Sequence, residues 1–151
     1  TDGLRSLLIT MPHIPNMKEK TLRYPGHASL IQSMIDKNLF DENNFDQTVA
    51  ELLSEWKLES NESEFTVLDI NIYGDEKEIH YHLYDEMDIF SNSSSMARTT
   101  GFTATATINM LLNNLWSKKG VFPPEIIGSN DSCINFLLEY LSSRNVKIIQ
   151  S

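Results

Sequence analysis

The sequence predicts an α+β fold, in which a mixed, mostly antiparallel sheet carries about four helices packed mainly on one face. Two alternating apolar stretches, residues 67–73 and 78–84, flank a four-residue turn, as is typical of a β-hairpin. Apolar residues recur with helical spacing in several other parts of the chain. The sequence contains no βαβ unit in which a strand feeds a glycine turn into a helix, so no dinucleotide-binding unit is expected in this chain.

Length and composition place further bounds on the protein. A chain of 151 residues suffices for one domain with one core, so residues 1–151 are predicted to form a single domain. The net charge of −9 argues against nucleic acids or anionic membranes as partners. An acidic protein can still hold a local basic site, so an anionic small substrate remains compatible with this charge.

The N-terminal sequence, the lengths of the apolar stretches and the single cysteine indicate the compartment in which the protein is expected. No apolar stretch reaches the length of a membrane span, and the N-terminus lacks a secretory signal pattern. Cys133 has no second cysteine to pair with, which suits a reducing, cytoplasmic compartment, and we expect it to pack on a helix. Because Thr1 is not an initiator methionine, we expect the chain to be a fragment of a longer protein.

The first third of the chain is predicted to be helical with connectors. Residues 3–9 fit either a helical turn or a buried strand. Residues 28–38 carry one apolar stripe, and Asp46 or Asn44 is expected to cap a second helix that continues through Trp56. Its predicted buried face consists of Val49, Leu52, Leu53 and Trp56. The acidic residues 59–64 are interpreted as a loop with solvated charges.

The hairpin pattern also predicts a register. A four-residue loop sets Tyr73 opposite Glu78, so that one face, which we expect to be buried, collects Leu68, Ile70, Ile72, Ile79, Tyr81 and Leu83. The other face carries Asp69, Asn71, His80 and His82. Two histidines at positions i and i+2 of a strand, with Asp69 opposite His82, could bind zinc. We favour two exposed histidines with a cross-strand pair to Asp69, because no further ligand is obvious, and no metal is predicted.

The last third is predicted to contain two helices and a strand. A Ser/Asn linker at residues 91–95 leads into a helix that reaches Leu115, although the alternation at 103–107 also fits a strand. Pro123 and Pro124 begin a connector. Asp131 or Ser132 is expected to cap the last helix, and residues 146–150 to form a short strand.

One short segment combines features of an anion site. Arg23 ends a short extended run, Pro25-Gly26 makes a turn, and a helix follows. Free backbone N–H groups gather at helix N-termini, and a guanidinium can bind a carboxylate or phosphate through two parallel hydrogen bonds. Spacing alone favours the simpler interpretation, a solvated arginine beside an ordinary turn.

Three stretches in order resemble one known family. They are residues 18–27 (KEKTLRYPGH), 94–101 (SSMARTTG) and 119–125 (KGVFPPE). The first resembles a signature of the glutamate-forming saccharopine dehydrogenases (saccharopine reductases), the second a motif that opens a long helix in that family, and the third the segment before its last helix. The resemblance covers nearly the whole chain.

The resemblance implies a function. Family members interconvert saccharopine with glutamate and an aminoadipate semialdehyde in lysine metabolism, by hydride transfer involving NAD(P) at a carbon–nitrogen bond. Their second domain carries dimer contacts and much of the amino-acid site. By resemblance, Thr21, Leu22 and Arg23 match the substrate-contacting run, and Arg5 matches an upstream arginine. No catalytic residue is assigned.

The chain lacks the family's nucleotide-binding half. It has only six glycines and no G-x-G-x-x-G sequence, so NAD(P) is expected to bind to another domain of the parent enzyme. The expected partners are therefore a polycarboxylate amino-acid substrate, that nucleotide-binding domain and a second copy of the chain. A sibling enzyme, such as a carboxynorspermidine or homospermidine pathway dehydrogenase, and a non-catalytic dimerisation module are the alternatives.

Overall fold

The computed structural model describes residues 5–59 and 62–151. The chain forms two compact units, Thr1–Glu62 and Ser63–Ser151. The single domain expected from the sequence stays a prediction. Among the described residues, no helix is both long enough and apolar enough to cross a membrane.

The first unit consists of helices and connectors. Helix α1 spans Leu7–Thr10, α2 spans His27–Asp36 and α3 spans Phe45–Glu55. The two longer helices confirm the helices predicted from the apolar periodicity. Of the two structures that residues 3–9 allowed, the helical turn is present from Leu7 onward, while residues 3 and 4 lie outside the described part of the chain.

The buried face predicted for α3 is wrong at Leu53 and Trp56, whereas Val49 and Leu52 are partly buried. Leu53 is 67% exposed and Trp56 is 47% exposed, and the buried residue of this helix is Thr48. The Thr48 hydroxyl donates to the Leu39 carbonyl oxygen at 2.6 Å, which ties the helix to the loop before it. The helix is amphipathic as predicted, and near its C-terminus the Trp56 ring lies 5.2 Å from the His27 ring.

A tight turn connects the Arg23 segment to α2. The His27 amide donates to the Tyr24 carbonyl oxygen at 3.2 Å, and Gly26 has φ 92° and ψ −21°. Pro25 at the second position and a positive φ at the third are the signature of a type II turn. Residues 21–24 belong to no strand, so the predicted extended run is not part of a sheet.

Replacing Gly26 by alanine is expected to lower the free energy of unfolding by about 1–2 kcal/mol, since an L-residue with a Cβ is disfavoured at positive φ. A Cβ added at Gly26 would meet no atom within 4 Å, so backbone strain alone is tested. Gly26→Asn is the matched control and should cost less, because asparagine tolerates this conformation. Urea unfolding measures both variants, and equal losses would contradict the backbone explanation.

The second unit packs helices on an antiparallel sheet. Strand β1 spans Phe65–Tyr73, β2 spans Glu78–Glu86 and β3 spans Ile148–Gln150, in the order β1-β2-β3 with both pairs antiparallel. The helices are α4 (Ser95–Leu112), α5 (Pro124–Gly128) and α6 (Asp131–Ser142). The predicted α+β class is confirmed, with a wholly antiparallel sheet and six helices in the described residues rather than about four.

The predicted hairpin register is confirmed at every pair. Tyr73 faces Glu78, Asp69 faces His82 and Leu68 faces Leu83. The prediction that the apolar face is buried holds for Leu83 but is wrong for β1, since Leu68, Ile70 and Ile72 are 42–49% exposed. Helix α4 reaches the hairpin near its open end, where Thr66 and Asp85 lie, so the half toward the turn stays uncovered.

Two apolar clusters form the core of the second unit. One contains Leu83, Leu141 and Val146, and the other contains Met110, Trp116 and Cys133. Cys133 is fully buried on α6 and its Sγ lies 3.5 Å from the Leu115 carbonyl oxygen, which confirms that it packs on a helix.

Several element starts differ from the predictions by a few residues. Helix α4 is capped by Ser94 and begins at Ser95, so the end of the predicted linker is helical. Asn130 rather than Asp131 or Ser132 caps α6, because its side-chain oxygen accepts from the first-turn amides. The connector expected at Pro123 contains the short helix α5, which has a proline at its first position, as helix N-termini favour.

Candidate functional site

The Arg23 segment, residues 18–26 of the first unit, is exposed along its whole length. Thr21, Leu22 and Arg23 all lie at the surface, with Leu22 64% exposed. The Arg23 Nη1 donates to the Leu22 carbonyl oxygen at 3.0 Å. Within the described part of the chain this is its one hydrogen bond, and Arg23 forms no ion pair there. Its remaining guanidinium donors are therefore available to a ligand.

The type II turn fixes Arg23 next to the N-terminus of α2. Gly26 is the N-cap of that helix, and because it has no side chain it cannot accept a hydrogen bond from the first-turn amides. Because the first amides of a helix have no intrahelical acceptor, they carry partial positive charge at this end. Helix N-terminal amides and a forked guanidinium each favour a carboxylate, and here they lie within a few residues of one another in the sequence.

Arg5, the other cation implied by the resemblance, lies in the exposed turn before α1. The chain brings Thr21, Leu22 and Arg23 together because they are consecutive. The role of Arg5 stays a prediction.

The second matched stretch, residues 94–101, forms the junction of α4 with the hairpin. Arg98 is 9% exposed, and its Nε and Nη2 donate to the two Asp85 carboxylate oxygens at 3.1 Å each. The same Nη2 donates to the Arg144 carbonyl oxygen at 3.2 Å. Hydrogen bonding to Asp85 raises the pKa of Arg98 above its ordinary value. This arginine therefore binds the protein itself, and its contacts are structural.

Ser95 and Glu64 complete this junction. The fully buried Ser95 hydroxyl lies 2.8 Å from both Thr66 Oγ1 and the Asp85 carbonyl oxygen, and the Ser95 amide donates to Glu64 Oε1. The prediction of solvated charges throughout residues 59–64 is therefore wrong at Glu64. Its carboxylate accepts from the amide at the first position of α4, where negative charge is favoured.

Asp88 lies beside Arg98 at the junction. Its Oδ2 is 3.7 Å from Arg98 Nη1, and the same oxygen accepts from the Ser91 hydroxyl at 2.7 Å. The hydrogen bond from Ser91 is the main cause that lowers the pKa of Asp88, with smaller help from the Phe90 amide and Arg98.

Neither Asp85 nor Asp88 was predicted from the sequence. A signal for Asp85 did exist, because the strand alternation places it on the same face as Leu83 and Tyr81. A carboxylate on an apolar face needs a paired cation or hydrogen-bond donors, so a partner for Asp85 could have been expected.

The third matched stretch, residues 119–125, is also structural. The Phe122 ring meets the Trp116 ring edge-on at 5.4 Å, and Lys118 lies over the same indole at 5.3 Å. Pro123 then caps α5. Among the described residues, the arginine of the second matched stretch is taken up by Asp85, whereas Arg23 in residues 18–27 makes one hydrogen bond, to the Leu22 carbonyl oxygen.

A separate polar cluster lies on the other face of the hairpin. Asp69 Oδ1 lies 3.1 Å from His80 Nε2 and 2.7 Å from His82 Nδ1. These contacts, first that with His82, lower the pKa of Asp69. The predicted cross-strand pair of His82 with Asp69 is present, and His80 contacts the same oxygen.

Comparison with known proteins supports the resemblance seen in the sequence. The family described as the saccharopine dehydrogenase C-terminal domain matches residues 2–146. The match includes the Arg23 segment, the whole hairpin and helices α1 to α6. The chain thus belongs to the saccharopine dehydrogenase C-terminal domain family.

Proposed function

We propose that this chain is the substrate-binding and dimerisation domain of an NAD(P)-dependent, saccharopine dehydrogenase-like oxidoreductase. The reaction is hydride transfer at a carbon–nitrogen bond in lysine metabolism, and the compartment is the cytoplasm. The cofactor would bind to a nucleotide-binding domain of the parent enzyme, and the domain described here would hold the amino-acid part of the substrate. The observation that carries the proposal is the family match over residues 2–146.

The environment of Arg23 supports a role in substrate binding. A saccharopine-like substrate carries three carboxylates, so its site needs fixed cations. Arg23 is held beside a helix N-terminus by the Pro25-Gly26 turn, and its donors are not consumed by an ion pair within the described residues. The family motif in residues 18–27 assigns Thr21, Leu22 and Arg23 to this contact by resemblance, and Arg5 is the second candidate.

Uncovered apolar surface supports the assembly part of the proposal. Leu30, Ile35, Leu53 and Trp56 of the first unit are each about half exposed or more. Strand β1 of the second unit is an edge strand with three half-exposed apolar residues. Surfaces of this kind commonly face another domain or subunit.

We expect the chain to be a dimer in solution, with the β1 face contributing to the contact. Light scattering should give twice the monomer mass, and Ile70→Lys should shift the chain toward the monomer by placing a charge on the apolar face. Asn71→Lys is the matched control, because Asn71 lies next in the strand on the opposite face, and it should leave the dimer intact. A monomer mass for the wild-type chain at high concentration would contradict this expectation.

We expect the 151-residue chain alone to have no dehydrogenase activity and no tight NADPH binding, because it lacks a glycine-rich dinucleotide segment. The full-length gene product should bind one NAD(P)H per chain. Calorimetric titration of both proteins tests the proposal, since a non-catalytic dimerisation module would bind the cofactor in neither form. Stoichiometric NADPH binding by the 151-residue chain would contradict the proposal that another domain binds the cofactor.

A sibling enzyme that acts on a different imine is the second candidate. It would share the family match and the cofactor, and it would differ in the substrate groups that contact residues 21–23. Rates with saccharopine and with carboxynorspermidine separate the two, and the KEKTLRYPGH run of residues 18–27 favours saccharopine by resemblance.

A further inference from the structure

We propose that Asp69, His80 and His82 form a binding site for a divalent transition-metal ion of the zinc class, on the face of the hairpin opposite α4. Among the described residues, these three place one ligand atom each within 4.8 Å of one another. The site is independent of the proposed oxidoreductase function, and its test bears on that function in neither direction.

The distances fit a metal ion with a small outward shift. Asp69 Oδ1 lies 3.1 Å from His80 Nε2 and 2.7 Å from His82 Nδ1. Two ligand atoms on a tetrahedral zinc ion, each bonded at about 2.1 Å, are separated by about 3.4 Å. The two contacts to Asp69 would have to lengthen by about 0.3 and 0.7 Å to admit the ion, and the two histidine nitrogens already lie within 4.8 Å of one another.

The backbone holds the three ligands in place. Both histidines belong to β2, the central strand, where they point to the same face because they are two residues apart. Asp69 is the cross-strand partner of His82. The His80 backbone exchanges two hydrogen bonds with Ser151 on the other side, at 3.0 and 2.9 Å, so β2 is fixed from both edges.

The second ring nitrogen of His80 has a contact that orients the imidazole ring. Its Nδ1 lies 3.5 Å from the Ser151 hydroxyl, which leaves Nε2 directed at Asp69. Metal-bound histidines commonly hold their second nitrogen in this way, since the contact fixes the ring tautomer and orientation. This arrangement would also direct a lone pair of Nε2 toward an ion.

The chemistry of the ligands selects the ion. Two imidazoles and one carboxylate suit zinc and its neighbours, whereas magnesium and calcium prefer oxygen ligands alone. The side chains are 38–43% exposed, so solvent can occupy the remaining coordination positions. The net charge of −9 raises the local concentration of cations.

Zinc titration of the tag-free, chelator-treated 151-residue chain tests the site. Calorimetry should show one saturable Zn²⁺ per chain, and Co²⁺ should show the visible absorption of a four- or five-coordinate ion. His80→Ala and His82→Ala should each weaken Zn²⁺ binding by more than the roughly 10–100-fold loss typical of an outer-shell change. Bound Zn²⁺ should also raise the melting temperature of the wild-type chain.

The other two histidines supply matched controls. His13→Ala and His27→Ala remove an imidazole from the first unit and should leave Zn²⁺ affinity unchanged. Absence of saturable binding by the wild-type chain would overturn the proposal, as would unchanged affinity in His80→Ala and His82→Ala. A cobalt–thiolate absorption band would assign the ion to Cys133 and would equally overturn it.

Discussion

Replacing Arg98 by alanine is expected to lower the free energy of unfolding by about 3–5 kcal/mol. The change leaves the Asp85 carboxylate, whose side chain is 3% exposed, without its paired cation. It also removes the hydrogen bond to the Arg144 carbonyl and the contact of the guanidinium with the Phe102 ring at 5.7 Å. Urea unfolding followed through a second-unit signal such as Trp116 measures the loss.

Two further variants distinguish the ion pair from the loss of side-chain volume. Arg98→Lys keeps the charge but not the fork, so it should be destabilised by less than Arg98→Ala. Arg23→Ala removes an exposed arginine whose one hydrogen bond among the described residues goes to the Leu22 carbonyl oxygen, and it should change stability by no more than about 0.5 kcal/mol. A stability loss in Arg98→Ala as small as that in Arg23→Ala would contradict the structural role of Arg98.

The hairpin was predictable because its information is local. The four-residue loop and the strict alternation fix the register, and every cross-strand pair from Phe65–Glu86 to Tyr73–Glu78 follows from them. The Arg98–Asp85 pair joins a helix to a strand, so its geometry depends on how α4 packs and not on sequence spacing. The strand alternation could have marked Asp85 as inward-facing, but it could not have named Arg98 as the partner.

The buried face of α3 was mispredicted for a related reason. Amphipathic spacing shows which side of a helix is apolar, but burial depends on what covers that side. Leu53 is 67% exposed, and Trp56 is 47% exposed although its ring lies 5.2 Å from the His27 ring. The candidate site on residues 21–23 came from resemblance, since the spacing around Arg23 alone favoured a solvated arginine.

Replacing Arg23 by alanine in the full-length enzyme is expected to raise the KM for saccharopine or glutamate by roughly ten- to a hundredfold. A charge-assisted, bidentate hydrogen bond to a carboxylate is worth about 1.5–3 kcal/mol, and each 1.4 kcal/mol is a factor of ten. If Arg23 binds the ground and transition states equally, kcat should change little. Steady-state kinetics with varied amino-acid substrate measure the effect.

The KM for NAD(P) is the internal control, because the cofactor is proposed to bind to another domain, and it should stay unchanged. Arg23→Lys should fall between wild type and Arg23→Ala, since lysine keeps the charge but loses the fork. Arg98→Lys is the matched control outside the site, and its effect should fall on stability. Wild-type KM values for both amino-acid substrates in Arg23→Ala would contradict the proposal that Arg23 binds a substrate carboxylate.

The most direct test of the proposed function is the initial rate of the full-length gene product with saccharopine and NAD⁺ or NADP⁺, followed by the absorbance of the reduced nicotinamide. Saccharopine-dependent reduction with release of glutamate is the predicted result, and the 151-residue chain alone should give none. Turnover of carboxynorspermidine without turnover of saccharopine, or no reduction with either substrate, would contradict it.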